Sequence, residues 1–159
     1  MTRIISTFLA LALTSALATS PVMAQQAPSV VLEGDVKLEK TVETSGVKKT
    51  VLEDPKVVVP GDKLLFSTRY ANKGSQSVDN FVVTNPVPQA VRVADDSVNA
   101  LQVSVDGGKA YGLLTGLTVK DAAGAVRAAR AEDITHIRWT VPAIAPGGSG
   151  TVEYHAIVR

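Results

Sequence analysis

Three segments of the chain alternate apolar and polar positions with a period of two. In Leu64–Tyr70 one face carries Leu64, Phe66, Thr68 and Tyr70. In Ile134–Val141 one face carries Ile137, Trp139 and Val141, and the other Ile134, His136 and Arg138. In Thr151–Val158 one face carries Val152, Tyr154, Ala156 and Val158, and the other Thr151, Glu153, His155 and Ile157. Successive side chains of a strand point to opposite faces, so each segment predicts a strand with one face on a core and one in water. Further strands are predicted at Asp35–Val42, Val78–Thr84, Leu101–Val105 and Leu117–Lys120, with shorter patterns near Val57–Val59 and Val91–Val93.

Turn residues punctuate these segments at Pro60-Gly61-Asp62, Asn72-Lys73-Gly74, Asn85-Pro86-Val87-Pro88, Asp106-Gly107-Gly108, Asp121 to Gly124 and Pro146-Gly147-Gly148. Gly and Asn tolerate positive φ, Pro presets it, and Asp bonds its own backbone. The one window with helical composition, Ala122–Ala131, contains Gly124 and is too short to hold as an isolated helix, for which about 12–15 residues are needed. It reads as a loop or hairpin arm. Short strands at turn-punctuated spacing predict an all-β sandwich of about seven to nine strands.

The N-terminus follows a different pattern. Arg3 is the only charge before Glu33, Ile4 to Ala18 is uncharged and mostly apolar, and Pro21 precedes a Val22-Met23-Ala24 cleavage site. A cationic start, an apolar run of about 7–15 residues and small residues at the cut predict a secretory signal peptide over 1–24. The run falls short of the roughly 20 residues of a membrane span. With no cysteine in the chain, lipidation at the new N-terminus has no attachment point. The expected mature protein is a flexible tail over 25–34 and a sandwich over 35–159, exported to the periplasm or the cell surface, with no transmembrane segment.

Charge and composition narrow the partners. The chain has 16 Lys+Arg and 15 Asp+Glu; removal of Arg3 with the leader leaves 15 of each. A neutral domain lacks the basic surface that nucleic acid or an anionic membrane requires. Valine fills 23 of the 135 positions from Gln25 onward, which favours pleated strands over helices. A domain of this size buries about two-thirds of its unfolded surface and folds without disulfides.

The order Val59-Pro60-Gly61-Asp62, Tyr70-Ala71-Asn72-Lys73-Gly74, Asn80-Phe81-Val82-Val83-Thr84-Asn85-Pro86-Val87-Pro88, Trp139 and Ala145-Pro146-Gly147-Gly148-Ser149-Gly150 resembles the bacterial conserved repeat domain, a domain of unknown function numbered eleven. The resemblance spans about residues 38–158. It implies an immunoglobulin-like β-sandwich of envelope and surface proteins, and no catalytic residues. The acid usual in the family's Thr-Asp-x-x-Pro is Asn85 here. Some related surface domains carry a Lys–Asn isopeptide bond. Lys40 lies in the first predicted strand, but the last strand offers no Asn.

Several groups invite a chemical reading. Ser104-Val105-Asp106-Gly107-Gly108-Lys109-Ala110-Tyr111 resembles the Asp-box turn of sialidase-type propellers. A propeller needs about four or more blades of four strands, so the expectation is a structural hairpin turn. His136 and His155 are the only imidazoles. Glu132, Asp133 and Glu153 would serve them only if the two histidine strands were neighbours, and unpaired, exposed strand histidines are expected. Asp95-Asp96, Asp106 and Asp121 lack the dense spacing of a calcium loop, where 6–8 oxygens converge. Trp139 reads as a core residue. No catalytic, cofactor-binding or metal-ligating residue is therefore nominated. The leading expectation is a non-enzymatic structural, adhesion or protein-interaction module with a protein partner in the envelope. The alternatives are a carbohydrate- or calcium-binding accessory domain near Asp95-Asp96 and Asp106, and a hydrolase using His136 or His155.

Overall fold

The computed structural model describes residues 29–159; the predicted signal peptide and the first residues of the predicted tail lie outside them. The strands are β1 (Val30–Thr44), β2 (Val47–Glu53), β3 (Lys63–Asn72), β4 (Val78–Pro86), β5 (Val91–Val93), β6 (Gln102–Ser104), β7 (Thr118–Lys120), β8 (Val126–Ala128), β9 (His136–Ile144) and β10 (Ser149–Val158). One helical turn, α1 (Asp95–Val98), follows β5. A five-stranded sheet in the order β2-β1-β3-β10-β5 faces a three-stranded sheet in the order β4-β9-β6, and β7-β8 forms a separate hairpin. All pairings are antiparallel, and the fold is an all-β sandwich.

The period-two faces become the two walls of the core. Tyr154 on β10 pairs with Phe66 on β3, and their rings stack at 4.9 Å between centroids. Trp139 on β9 reaches them from the opposite sheet, 6.2 Å from the Tyr154 ring. Val83, Val93, Val103 and Ile137 are fully buried. Each such side chain contributes about 1.5–3 kcal/mol of burial free energy. Trp139 is half-buried and packs against this cluster.

Two asparagines, one buried and one half-buried, tie elements together. Asn72 ends β3 with its side chain fully enclosed; its Nδ2 donates to the carbonyls of Gln76 (2.7 Å) and Ile144 (2.9 Å), and its Oδ1 accepts Gly74 N–H. Its backbone N–H reaches Gly148 O, and Gly147 N–H returns to Asn72 O. The Asn-x-Gly turn and the Pro-Gly-Gly turn are thus one joint. Asn85 donates from Nδ2 to Thr68 Oγ1 at 2.6 Å between the two sheets. A neutral amide can make that donation, whereas an ionised carboxylate can only accept.

The structure corrects several expectations. Val30–Gly34, placed in a tail by the sequence, is the start of β1 and pairs with Thr68–Asn72 of β3. Val57–Val59 is not a strand but part of the crossing from β2 to β3, and Val57 is 78% exposed. Ile134 precedes β9 and is buried in the core instead of lying on a solvent face. The Ala122–Ala131 window holds a turn and the short strand β8, in line with a hairpin arm. The ten strands among the described residues slightly exceed the seven to nine expected, and β2 is an element the sequence pattern did not suggest.

Candidate functional site

The outward face of the five-stranded sheet gathers a convergent set of ionisable and hydroxylic side chains that includes a histidine, acids and a serine. Glu39 on β1 lies opposite Lys63 on β3, and His155 on β10 lies opposite Leu65 one step along. All three project from the face opposite the core. α1 brings a second group: Ala94 N–H bonds His155 O at 2.9 Å, so the helical turn begins where β5 stops pairing with β10. This sets Asp96 and Ser97 over the same end of the sheet.

The contacts form a closed chain. His155 Nε2 lies 3.2 Å from Glu39 Oε2, and Nδ1 lies 3.3 Å from Ser97 Oγ and 3.9 Å from Asp96 Oδ1. Lys63 Nζ joins Asp96 Oδ2 at 2.7 Å and Glu39 Oε1 at 3.5 Å. Ser97 Oγ also accepts the backbone N–H of His155 at 3.0 Å. If Nε2 carries the ring proton toward Glu39, Nδ1 is free to accept the Ser97 hydroxyl, and each group has a partner. Lys63 holds the Asp96 carboxyl below its ordinary range, and Asp96 in turn raises the Lys63 ammonium.

Serine, histidine and an acid side by side resemble the parts of a nucleophilic site, in which a base activates a hydroxyl and an acid orients the base. Here the serine oxygen is already an acceptor for a backbone amide. The amides of Ser97 and Val98 both bond Ala94 O, which engages the donors that would face an oxyanion beside Ser97. What the geometry does directly is cap a sheet: Ser97 takes over the partner role for His155 N–H after β5 ends.

His155 is thus half-buried and fully partnered, contrary to the expectation of an exposed, unpaired ring. Its acid is Glu39, not Glu153, which instead accepts the Ser67 hydroxyl. His136 is also half-buried; its Nδ1 lies 3.1 Å from Thr135 Oγ1. The two histidines sit in different sheets and do not converge. Asp133 turns to Arg127 in a two-pronged pair with both contacts at 2.7 Å, and Glu132 is met through its backbone carbonyl by Arg159.

The carboxylates considered for calcium are dispersed. Asp95 approaches Arg92, Asp96 pairs with Lys63, and Asp121 accepts the amides of Ala123 and Ala125 in the β7–β8 turn. Asp106 Oδ1 accepts the Ser104 hydroxyl at 2.7 Å and the amides of Lys109 and Ala110, both at 3.1 Å. Ser104 Oγ in turn accepts Gly108 N–H, with Gly107 and Gly108 at φ of 80° and 87°. The Asp-box resemblance therefore resolves into a stapled turn after β6, and these bonds, Ser104 foremost, lower the Asp106 carboxyl. Tyr111 closes it, with the Arg138 guanidinium 4.2 Å from its ring centre. Among the described residues no group of three His, Asp or Glu is placed to hold a metal ion. Lys40 lies on the β1–β2 hairpin and pairs with Glu53 at 2.8 Å.

Sequence reasoning missed Ser97, Glu39 and Lys63 as partners of His155. The early signal was slight: Glu39 lies within the predicted strand Asp35–Val42, and Lys63 immediately precedes the predicted strand Leu64–Tyr70. The β1–β2 hairpin was missed too: Lys40–Thr44 and Val47–Thr50 are exposed on both faces and extend beyond the sandwich. No family model, curated protein or solved structure matches the chain.

Proposed function

We propose that this chain is an exported, non-enzymatic module of the cell envelope that works through its surface, as a structural, adhesion or protein-interaction component. The leader pattern at 1–24 and the resemblance to immunoglobulin-like envelope domains support the location. The observation that carries the binding role is the amount of strand edge and apolar side chain left open. β1 and β2 extend past the sandwich, and Val47, Leu52, Val57 and Val59 are each more than half exposed. Exposed strand edges and clustered apolar side chains are what interaction surfaces offer. Within this reading the Ser97–His155–Glu39 set is a clamp on the sheet end.

Affinity capture with the mature chain from periplasmic and outer-membrane fractions tests the reading, with a specific retained partner as the expected result. The hydrolase reading is favoured by one observation, the joining of Ser97, His155 and Glu39. Ester and amide hydrolysis that disappears in Ser97→Ala would establish it in place of the binding role.

A further inference from the structure

We infer that the free edge of β1 from Val30 to Lys37 is a strand-addition site for an extended segment of another protein whose side chains alternate basic and apolar. The inference rests on the binding role above and names where and what the chain binds.

β1 is 15 residues long and pairs on its two sides over different stretches. On one side Val30–Glu39 pairs with β3; on the other, β2 pairs only with Leu38–Thr44. Among the described residues, nothing pairs with the second side of Val30–Lys37. That edge presents backbone N–H and C=O groups at every second residue, about 7 Å apart. It is also open to approach. Val31 is 44% and Leu32 46% exposed, and a Cβ built on Gly34 meets nothing within 4 Å.

The two faces of this stretch specify the side chains of an incoming strand. Val36 and Leu38 face the core, so Leu32 and Gly34 lie on that same inner side. The three-stranded sheet does not cover Leu32. An added strand would continue the inner face with apolar side chains beside Leu32 and Val36. On the outer side stand Lys37, which lies 3.5 Å from Asp35 and also bonds Asp54, and the two acids Glu33 and Asp35; Glu33 lies opposite Arg69 on β3 and makes no ion pair among the described residues. Both acids line a shallow depression with Glu153, in which Arg69 is the one cation. Opposite charges on directly facing strand positions stabilise, and like charges destabilise. The positions of the added strand that face Glu33 and Asp35 are therefore basic.

The same carboxylates disfavour a second copy of this chain. A symmetric antiparallel pairing centred on Gly34 sets Glu33 of each copy against Asp35 of the other. The two acids thus act both as a guard against self-association and as the selector for a cationic segment.

The test uses the mature chain, isotope-labelled for amide hydrogen exchange, and three synthetic octapeptides. One alternates Lys and Val, one alternates Glu and Val, and one is the Lys/Val peptide with alternate amides N-methylated. The Lys/Val peptide is expected to slow exchange at alternate amides of Val30–Lys37 at least tenfold, with no such effect from the other two. The double variant E33K/D35K, shown to be folded by retained protection of the β3 and β10 amides, should bind the Lys/Val peptide at least tenfold more weakly, with a new preference for Glu/Val. Unchanged exchange along β1, equal binding of the Glu/Val peptide, or protection at another strand would overturn the inference. So would concentration-dependent protection of these amides in the chain alone, which would make a second copy the occupant. If E33K/D35K still retains an envelope partner captured by the natural chain, the edge assignment fails while the binding role stands; if neither captures one, the binding role itself fails.

Discussion

Ser97 Oγ accepts the backbone N–H of His155 at 3.0 Å and lies 3.3 Å from Nδ1 of that same residue. One hydroxyl thereby serves both the backbone and the side chain of a residue 58 positions away. This matters because β5 pairs with β10 only from Ala156 onward, leaving His155 N–H without a strand partner. Ser97→Ala is expected to destabilise the fold by about 1–2 kcal/mol, the range for a lost hydrogen bond that leaves a part-buried donor unmet. Urea denaturation checks the magnitude. Faster exchange of the His155 amide, with the β3 and β9 amides unchanged, checks that the loss is local.

Asn72 concentrates more of the fold in one side chain. It is fully buried and donates to two carbonyls while accepting one amide, so truncation strands three groups at once. Asn72→Ala is expected to cost about 3 kcal/mol or more. Asn72→Asp should cost more still at neutral pH, since a carboxylate cannot donate to Ile144 O and Gln76 O and would be buried with its charge. Thermal melts of both variants decide the order.

At low pH the carboxyls of Asp96, Asp106 and Asp133 are among those whose protonation lowers stability. Each is held below its ordinary range, by Lys63, by the Ser104 hydroxyl with turn amides, and by Arg127 respectively. A lowered folded pKa means that the stabilisation is present above the unfolded value of about 4 and is lost as pH falls through the folded value. Denaturation midpoints should be flat from pH 7 to 5 and drop below about 4. Asp133→Asn should remove part of that drop.

At high pH Tyr154 acts in the opposite direction. Burial pushes its hydroxyl up to about 12, and it is 2% exposed. The unfolded chain ionises near the ordinary value of about 10, so stability is intact below 10 and declines as pH rises from there through the folded value. The Tyr154 hydroxyl makes no hydrogen bond among the described residues, so Tyr154→Phe should keep the Phe66 stack and change neutral stability by less than about 1 kcal/mol. Above pH 10 the variant should be the more stable of the two, by an amount that grows toward about 2–3 kcal/mol.

The inner walls of the sandwich were legible because a half-buried strand must alternate: Phe66, Tyr154, Ile137 and Trp139 all lie on the side their spacing implies. The stapled turn at Asp106 was legible because Gly107 and Gly108 announce positive φ and Asp106 bonds forward within four residues. β2 was not, because Val47–Glu53 has no core on either face and so no reason to alternate. Val57–Val59 misled for the converse reason: three valines suggest a buried strand, yet they lie in the crossing from β2 to β3 and are exposed. The Ser97–His155–Glu39 set was invisible, since it depends on register between β1, β3 and β10 and on where β5 stops, which a single sequence does not encode locally. The free edge of β1 was hidden the same way, by Val30–Gly34 resembling a tail.

The most direct measurement of the central claim is capture on the immobilised mature chain from fractionated envelope of the native host. The expected result is a saturable partner that is retained equally by the natural chain and by Ser97→Ala, as the proposed binding through strand edges requires. Absence of any specific partner from every fraction, with ester or amide turnover that Ser97→Ala abolishes, would contradict it.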